Sequence, residues 1–388
     1  MTPRVLLVTG AYFPEISSAG VQTRDVARAL AGRAQFRVLT TAVDRSLPAH
    51  TVVDDVPVDR LAIDVGSLGS RLAAGVALTS TFARISGEID LVHIHGFSSK
   101  NVPVAVLARL FGKRTILSLH TAGQDDPRSV EARGRLARWA YRKADLFMSV
   151  SPQLSQQYRG SSLPPEKLEE VPNGVDTSRF RPATLVERAA LRVELGLPED
   201  ARIVLFVGFF SRDKRPDLLF EAWRRIASRG GEPVALVCVG ATASSYFEVD
   251  PALAIGMKAE AERAGLSDRL ILVEPTNAIE RYFRAADVYA LPSAREAMPM
   301  ALLEAMACGL PCVATRLPQV TDVIIDEGSS GLLVDGVDEL AAALDTLVTD
   351  RARGDALGVR ARETAVARFS IDQTANRWLS AYHRVLAA

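Results

Sequence analysis

Short, continuous apolar runs recur along the chain, separated by longer stretches in which apolar residues return every three or four positions. Arg4–Thr9 (RVLLVT), Phe36–Thr40, Asp90–Gly96 (DLVHIHG), Arg114–Leu119 (RTILSL) and Asp145–Val150 (DLFMSV) are such runs in the first half. Arg202–Gly208, Val234–Gly240, Leu270–Pro275, Val288–Leu291 and Gly331–Val334 repeat the theme in the second. A strand that is apolar throughout has both faces buried, as in a parallel sheet covered by helices. The intervening periodicity predicts helices over about Val21–Leu30, Ser70–Ile85, Arg128–Lys143, Ser244–Ala264 and Ile279–Asp287. It predicts further ones over Asp338–Val348, Asp355–Ala367 and Phe369–Leu386, whereas the 44–60 segment is more polar. Two halves that each alternate strand and helix imply an α/β chain built from two doubly wound, Rossmann-like domains.

The best punctuated stretch is Ala290–Thr315, ALPSAREAMPMALLEAMACGLPCVAT. Pro292-Ser293 ends a strand, Met300, Leu303 and Ala307 carry the helical spacing, Gly309 fits a left-handed stop and Pro311 forbids continuation. Glu296 lies in the loop at the helix mouth and Glu304 inside the helix. A helix start at the carboxyl end of a parallel strand offers unpaired N–H groups and a positive dipole end, a site for an anion such as phosphate at Met298, Pro299 and Met300. Carboxylates repel phosphate, so the Glu296 and Glu304 side chains suit hydroxyls instead. That combination points to a nucleotide sugar.

Other positions carry weaker signals. His93 and His95 alternate on one face of a strand, with no third ligand near in sequence to complete a metal site. His93 reads as a buried, hydrogen-bonded histidine, while His95 at the strand's end is within reach of a crevice. His120 follows a strand and precedes a Gly-containing loop. Ser17-Ser18-Ala19-Gly20 enters a helix; it is either a plain turn or a place where an anion meets backbone amides. The 128–143 segment interleaves arginines with Leu136, Trp139 and Tyr141, which suits a solvated face, an anionic membrane surface or a pyrophosphate-bearing acceptor.

Composition narrows the classes. The 388 residues, 48% of them hydrophobic, can bury two cores, and 46 basic against 46 acidic residues exclude a general nucleic-acid binder. Cys238, Cys308 and Cys312 all fall in apolar runs and read as buried thiols rather than disulfide partners or zinc ligands. A charged leader followed by a cleavable apolar segment is not found, no apolar run reaches membrane-spanning length, and cytoplasm is the expected compartment.

The Ala290–Thr315 stretch resembles the retaining glycosyltransferases of family 4, which carry Pro-Ser, a Glu-Gly-Phe-Gly loop and a Leu-Glu-Ala-Met-Ala-x-Gly-x-Pro-Val-Val-Ala-Thr run. Pro292-Ser293, Glu296, Leu303–Ala307, Gly309, Pro311 and Val313-Ala314-Thr315 stand in register with it, although Ala297 and Pro299 replace glycines. Pro172-Asn173-Gly174-Val175-Asp176 matches the family block that ends the first domain, and Gly20 keeps one of two family glycines. Lys214 stands at the family lysine, Phe209 replaces the family arginine, and Arg212 is the nearest substitute cation; Pro318-Gln319 replaces a glycine pair.

The resemblance implies the GT-B fold, two such domains facing a central cleft. It implies an acceptor-binding domain over 1–182, joined by a last helix at about 370–388, and a nucleotide-sugar domain over 183–369. It further implies transfer from a UDP- or GDP-linked sugar to a carbohydrate or lipid-linked acceptor, without metal or other cofactor, there being no Asp-x-Asp motif. His120 and Glu296 would act on the transferred sugar. Gly20, Arg212, Lys214 and the amides at Met298–Met300 would meet the diphosphate, and Glu304 the ribose. A nucleotide-sugar epimerase on the same fold and an inactive sugar-nucleotide binder are the competing expectations.

Overall fold

The apolar runs form two separate sheets. In the first unit β1 (Arg4–Thr9), β2 (Gln35–Ala42), β3 (His50–Val53), β4 (Val56–Ala62), β5 (Leu91–His95), β6 (Arg114–Leu119), β7 (Leu146–Ser149) and β8 (Leu168–Glu170) lie in the order β3-β4-β2-β1-β5-β6-β7-β8. The second holds β9 (Arg202–Val207), β10 (Val234–Val239), β11 (Leu270–Val273), β12 (Val288–Leu291), β13 (Cys312–Thr315) and β14 (Leu332–Val334) in the order β11-β10-β9-β12-β13-β14. The computed structural model describes residues 2–15, 17–42, 44–62, 68–229, 231–243 and 249–388, the side chains of 62 and 68–72 excepted. All named pairings are parallel except β3 with β4.

Both sheets reverse their winding once. β1 has β2 on one side and β5 on the other, and β9 has β10 on one side and β12 on the other. At such a reversal the loops leaving two neighbouring strands diverge and open a crevice at the carboxyl ends, where ligands of open α/β sheets bind. The exits concerned are Gly10 and Gly96 in the first unit, and Gly208 and Pro292 in the second.

The chain divides into Met1–Gly174 with Ile371–Ala388, and Val175–Ser370. The division falls earlier than the 182/183 boundary expected from sequence. Side-chain and backbone bonds explain why: the Val175 amide donates to the Phe369 carbonyl at 2.8 Å, and the Arg362 guanidinium donates to the carbonyls of Thr177 and Phe180. Arg179 adds an ion pair to Glu280 at 2.7 Å, so residues 175–182 are fastened to the second unit. The last helix, Ile371–Ala387, buries Trp378 and Tyr382 in the core of the first unit with Leu7, Ile116 and Met148.

Three local expectations change. The polar 44–60 segment contains the β3–β4 hairpin, turned at Asp54-Asp55, both at positive φ (49° and 62°). Those angles make the twisted two-residue turn that Asn-Gly usually supplies. The expected helix over Arg128–Lys143 is two, Pro127–Glu131 and Arg135–Arg142, because Gly134 at φ +105° interrupts it. The helix expected from Ser244 runs from Pro251 to Arg263, capped by the Asp250 side chain; residues 244–248 lie outside the described residues. The three cysteines are buried and unpaired, as read from their apolar runs.

Candidate functional site

In the second unit the two loops at the winding reversal are stapled together. The β12 loop sends its Ala294 amide to the Asp213 carbonyl of the β9 loop at 2.8 Å, and Arg295 pairs with the Asp213 carboxylate at 2.5 Å. This brings Lys214 and Glu296 together: Nζ donates to Oε1 at 2.7 Å across 82 residues of sequence. The buried Ser293 hydroxyl donates to the same oxygen, also at 2.7 Å. The Glu296 side chain is 7% exposed and that of Lys214 is 32% exposed. Both hydrogen bonds fall on Oε1, which leaves Oε2 without a partner among the described residues. Lys214 likewise keeps donors, since an ammonium has three.

The helix Met300–Ala307 begins directly after this loop. Pro299 is its N-cap and no side chain caps its first turn, while Met298 and Met300 are buried around it. Glu304 projects from the same helix and is buried. The structure therefore gathers Lys214, Glu296 and the helix start, with Glu304 on that helix. It does not gather Arg212, which is 88% exposed and turns its Nε to Asp250 at 3.4 Å. Among the described residues its ion-pair partner is Asp250, the cap of Pro251–Arg263, and it has no hydrogen bond to Lys214 or Glu296.

Two residues of this site escaped sequence reading. Ser293 was visible only as a turn residue. Tyr289, on β12, is fully buried with a hydroxyl that has no hydrogen-bond partner among the described residues. Its pKa is driven well up, first by burial and then by the charges of Glu296, Cys312 and Glu304. The loop after β13 keeps a left-handed residue although its glycines are gone: Gln319 sits at φ +61°.

The first unit has its own polar cluster. β5 and β6 place His93, His95 and His120 in a row, with His93 and His95 rings 4.2 Å apart and those of His95 and His120 5.4 Å apart. His93 bonds the Tyr382 hydroxyl at 2.9 Å and the Ser118 hydroxyl at 2.7 Å, which makes it the structural histidine expected. His95 Nδ1 lies 3.2 Å from His120 Nε2, and its own Nε2 is buried without a partner among the described residues. Burial lowers all three pKa values, that of His120 to about 4, so the row is neutral at pH 7. No group of three His, Cys, Asp or Glu among the described residues could hold a metal ion.

Asp125 holds the loops carrying these histidines. Its Oδ1 accepts from the Phe97 amide at 2.7 Å, and its Oδ2 from the amides of His120 and Thr121 at 2.9 Å each. Burial nevertheless raises its pKa, the dominant influence over the three amides. No sequence signal distinguishes it from neighbouring Asp126, which caps the short helix at Ser129. Gly20 lies inside the helix Ser18–Ala29, which begins three residues earlier than expected, and its amide donates to Ser17 Oγ at 3.1 Å. A Cβ there would stand 2.5 Å from the Ala11 carbonyl oxygen. Close packing accounts for this glycine, and its amide is already engaged.

A family model described as "Glycosyl transferases group 1" matches residues 187–364, and one described as "Glycosyl transferase 4-like domain" matches 18–174. A D-inositol 3-phosphate glycosyltransferase of Segniliparus rotundus is 31% identical over 76% of this chain and 66% of its own length. That of Xylanimonas cellulosilytica is 30% identical over 93% of this chain and 90% of its own. A crystal structure of HepE from Anabaena in complex with UDP and glucose has a TM-score of 0.79 at 18% identity, covering 98% of this chain and 100% of that one.

Proposed function

The chain belongs to the group 1 glycosyl transferases of family 4, with the GT-B fold, and on that premise we propose that it moves a sugar from a nucleoside-diphosphate sugar to a hydroxyl acceptor with retention of anomeric configuration. The observation that carries this reading is the Lys214–Glu296–Ser293 cluster beside the uncapped start of Met300–Ala307. Lys214 and the helix amides meet the diphosphate, whose negative charge grows as the glycosidic bond breaks. Glu296, its Oε1 fixed by two donors, presents Oε2 to a sugar hydroxyl. Glu304 takes the ribose. His120, neutral at pH 7, offers a hydrogen bond to the transferred sugar rather than a positive charge. No side chain is cast as a nucleophile: the acceptor attacks from the leaving-group face and the departing phosphate takes its proton.

A donor of the UDP class is supported by HepE, which was crystallised with UDP and glucose. An acceptor of the phosphorylated cyclitol type is supported by the inositol phosphate relatives. No metal ion or other cofactor enters the scheme, because cationic side chain and helix amides supply the counter-charge.

The test combines a thermal-stabilisation screen of UDP-, GDP- and ADP-sugars with turnover of Glu296→Gln and Lys214→Met. We expect one donor class to stabilise the protein and each variant to lose about a hundredfold or more in kcat/KM. Unchanged turnover in both variants sinks the assignment. Activity abolished by chelation refutes the metal-free scheme, and a rearranged sugar released from donor alone would mean epimerase chemistry.

A further inference from the structure

We infer that the helix Arg135–Arg142 is a docking surface for an anionic phospholipid bilayer. The break at Gly134 frees this helix from the preceding turn and fixes which side it shows. Ala137, Ala140 and Tyr141 are buried, and the Tyr141 hydroxyl is anchored on the Asp125 carbonyl at 2.8 Å. The opposite side then carries Arg135, Leu136, Arg138, Trp139, Arg142 and Lys143, all exposed. At 100° per residue Trp139 stands near the centre of that face, with Arg135 one turn before it and Arg142 and Lys143 one turn after.

Two features separate this face from an ordinary solvated one. Most arginines of this protein are matched to carboxylates, yet Arg135, Arg138 and Lys143 have no acidic partner among the described residues; only Arg142 does, with Glu131 at 3.1 Å. Leu136 is 60% and Trp139 40% exposed between these cations, and they line an open depression of about 660 Å³ with Arg135, Arg138 and Arg142. The helix Val102–Leu110 packs alongside and ends in Leu110 and Phe111, 73% and 40% exposed. Unpaired guanidinia answer phosphate headgroups, while an indole and leucine among them suit the boundary between headgroups and acyl chains. Nucleic acid would use the cations and stack on Trp139 but gain nothing from Leu136, and the chain has no net positive charge to draw it.

The protein carries its own probe. Of its three tryptophans, Trp223 and Trp378 are buried, so an emission change on adding vesicles reports Trp139. The full chain is mixed with vesicles of phosphatidylcholine alone or with phosphatidylglycerol, at about 0.05 M and about 0.5 M salt. Tryptophan emission and co-sedimentation are read. Blue-shifted emission and sedimentation with the anionic vesicles only, lost at high salt, are the expected result. Trp139→Phe should abolish the shift while the protein still sediments. Arg135→Gln/Arg138→Gln should weaken partitioning roughly 25-fold, about fivefold for each cation removed, with an unchanged melting temperature. Equal binding to neutral vesicles, no sedimentation, or undiminished binding by the double variant would overturn the inference. So would retention on poly(U) that falls in the double variant while vesicle binding is absent. None of these readouts depends on donor or acceptor.

Discussion

Asp125→Ala removes one carboxylate and strands three amides. Phe97, His120 and Thr121 donate to Asp125 at 2.7, 2.9 and 2.9 Å, and Phe97 and Asp125 are buried. An unsatisfied buried amide costs about 1–3 kcal/mol. His120 and Thr121 are only partly buried, so water recovers part of their loss. The total for alanine should then lie near 3–5 kcal/mol. Asparagine keeps one acceptor oxygen and turns an NH2 toward an amide, and should cost about 2 kcal/mol. Asp126→Ala, which removes a cap, should cost about 1 kcal/mol and serves as the comparison. With two units in one chain, a single global unfolding energy is not well defined. Amide hydrogen exchange followed by mass spectrometry on peptides spanning 91–123 reads the opening locally. Exchange at 96–121 should accelerate in Asp125→Ala far beyond Asp126→Ala. Equal exchange in the two variants would show that the amides do not depend on this carboxylate.

The histidine row makes the first unit sensitive to acid. Its pKa values are depressed, so the unfolded chain takes up protons below its value of about 6.5 that the folded row refuses, and stability falls with pH through that range. For His120, lowered to about 4, the full loss near pH 4 is about 3 kcal/mol. Urea midpoints of the wild type and His120→Gln, measured between pH 7.5 and 4.5, should converge as pH falls; parallel curves would contradict the shift. Gln319→Gly relieves a side chain held at φ +61° with a buried amide oxygen that has no partner among the described residues, and should raise stability by about 0.5 kcal/mol, seen as a higher melting temperature. A lower melting temperature would mean that the side chain holds the loop. Gly20→Ala, whose Cβ meets the Ala11 carbonyl oxygen at 2.5 Å, should cost about 1–3 kcal/mol in thermal melts. An unchanged melt with weakened donor binding would instead make Gly20 a ligand-contacting residue.

Sequence alone determined the elements whose cause is local. The apolar runs became β1, β5, β6, β9, β10 and β12, because a strand buried on both faces has to be apolar throughout. Gly309 and Pro311 stopped the helix Met300–Ala307 where their backbone preferences demand it, and the placement of Glu296 before that helix and Glu304 within it followed from counting. Tertiary structure decided what depends on strand order. Glu296 and Lys214 are 82 residues apart in sequence and meet only because β12 lies beside β9. Arg212, two positions before Lys214, turns instead to Asp250. Asp125 became the tie between two strand exits because β5 and β6 are neighbours. The Asp54-Asp55 turn and the break at Gly134 were missed since each hinges on a positive φ that hydrophobic periodicity does not record. Periodicity reports which face a residue buries; which residue it meets there is set by the winding of the sheet.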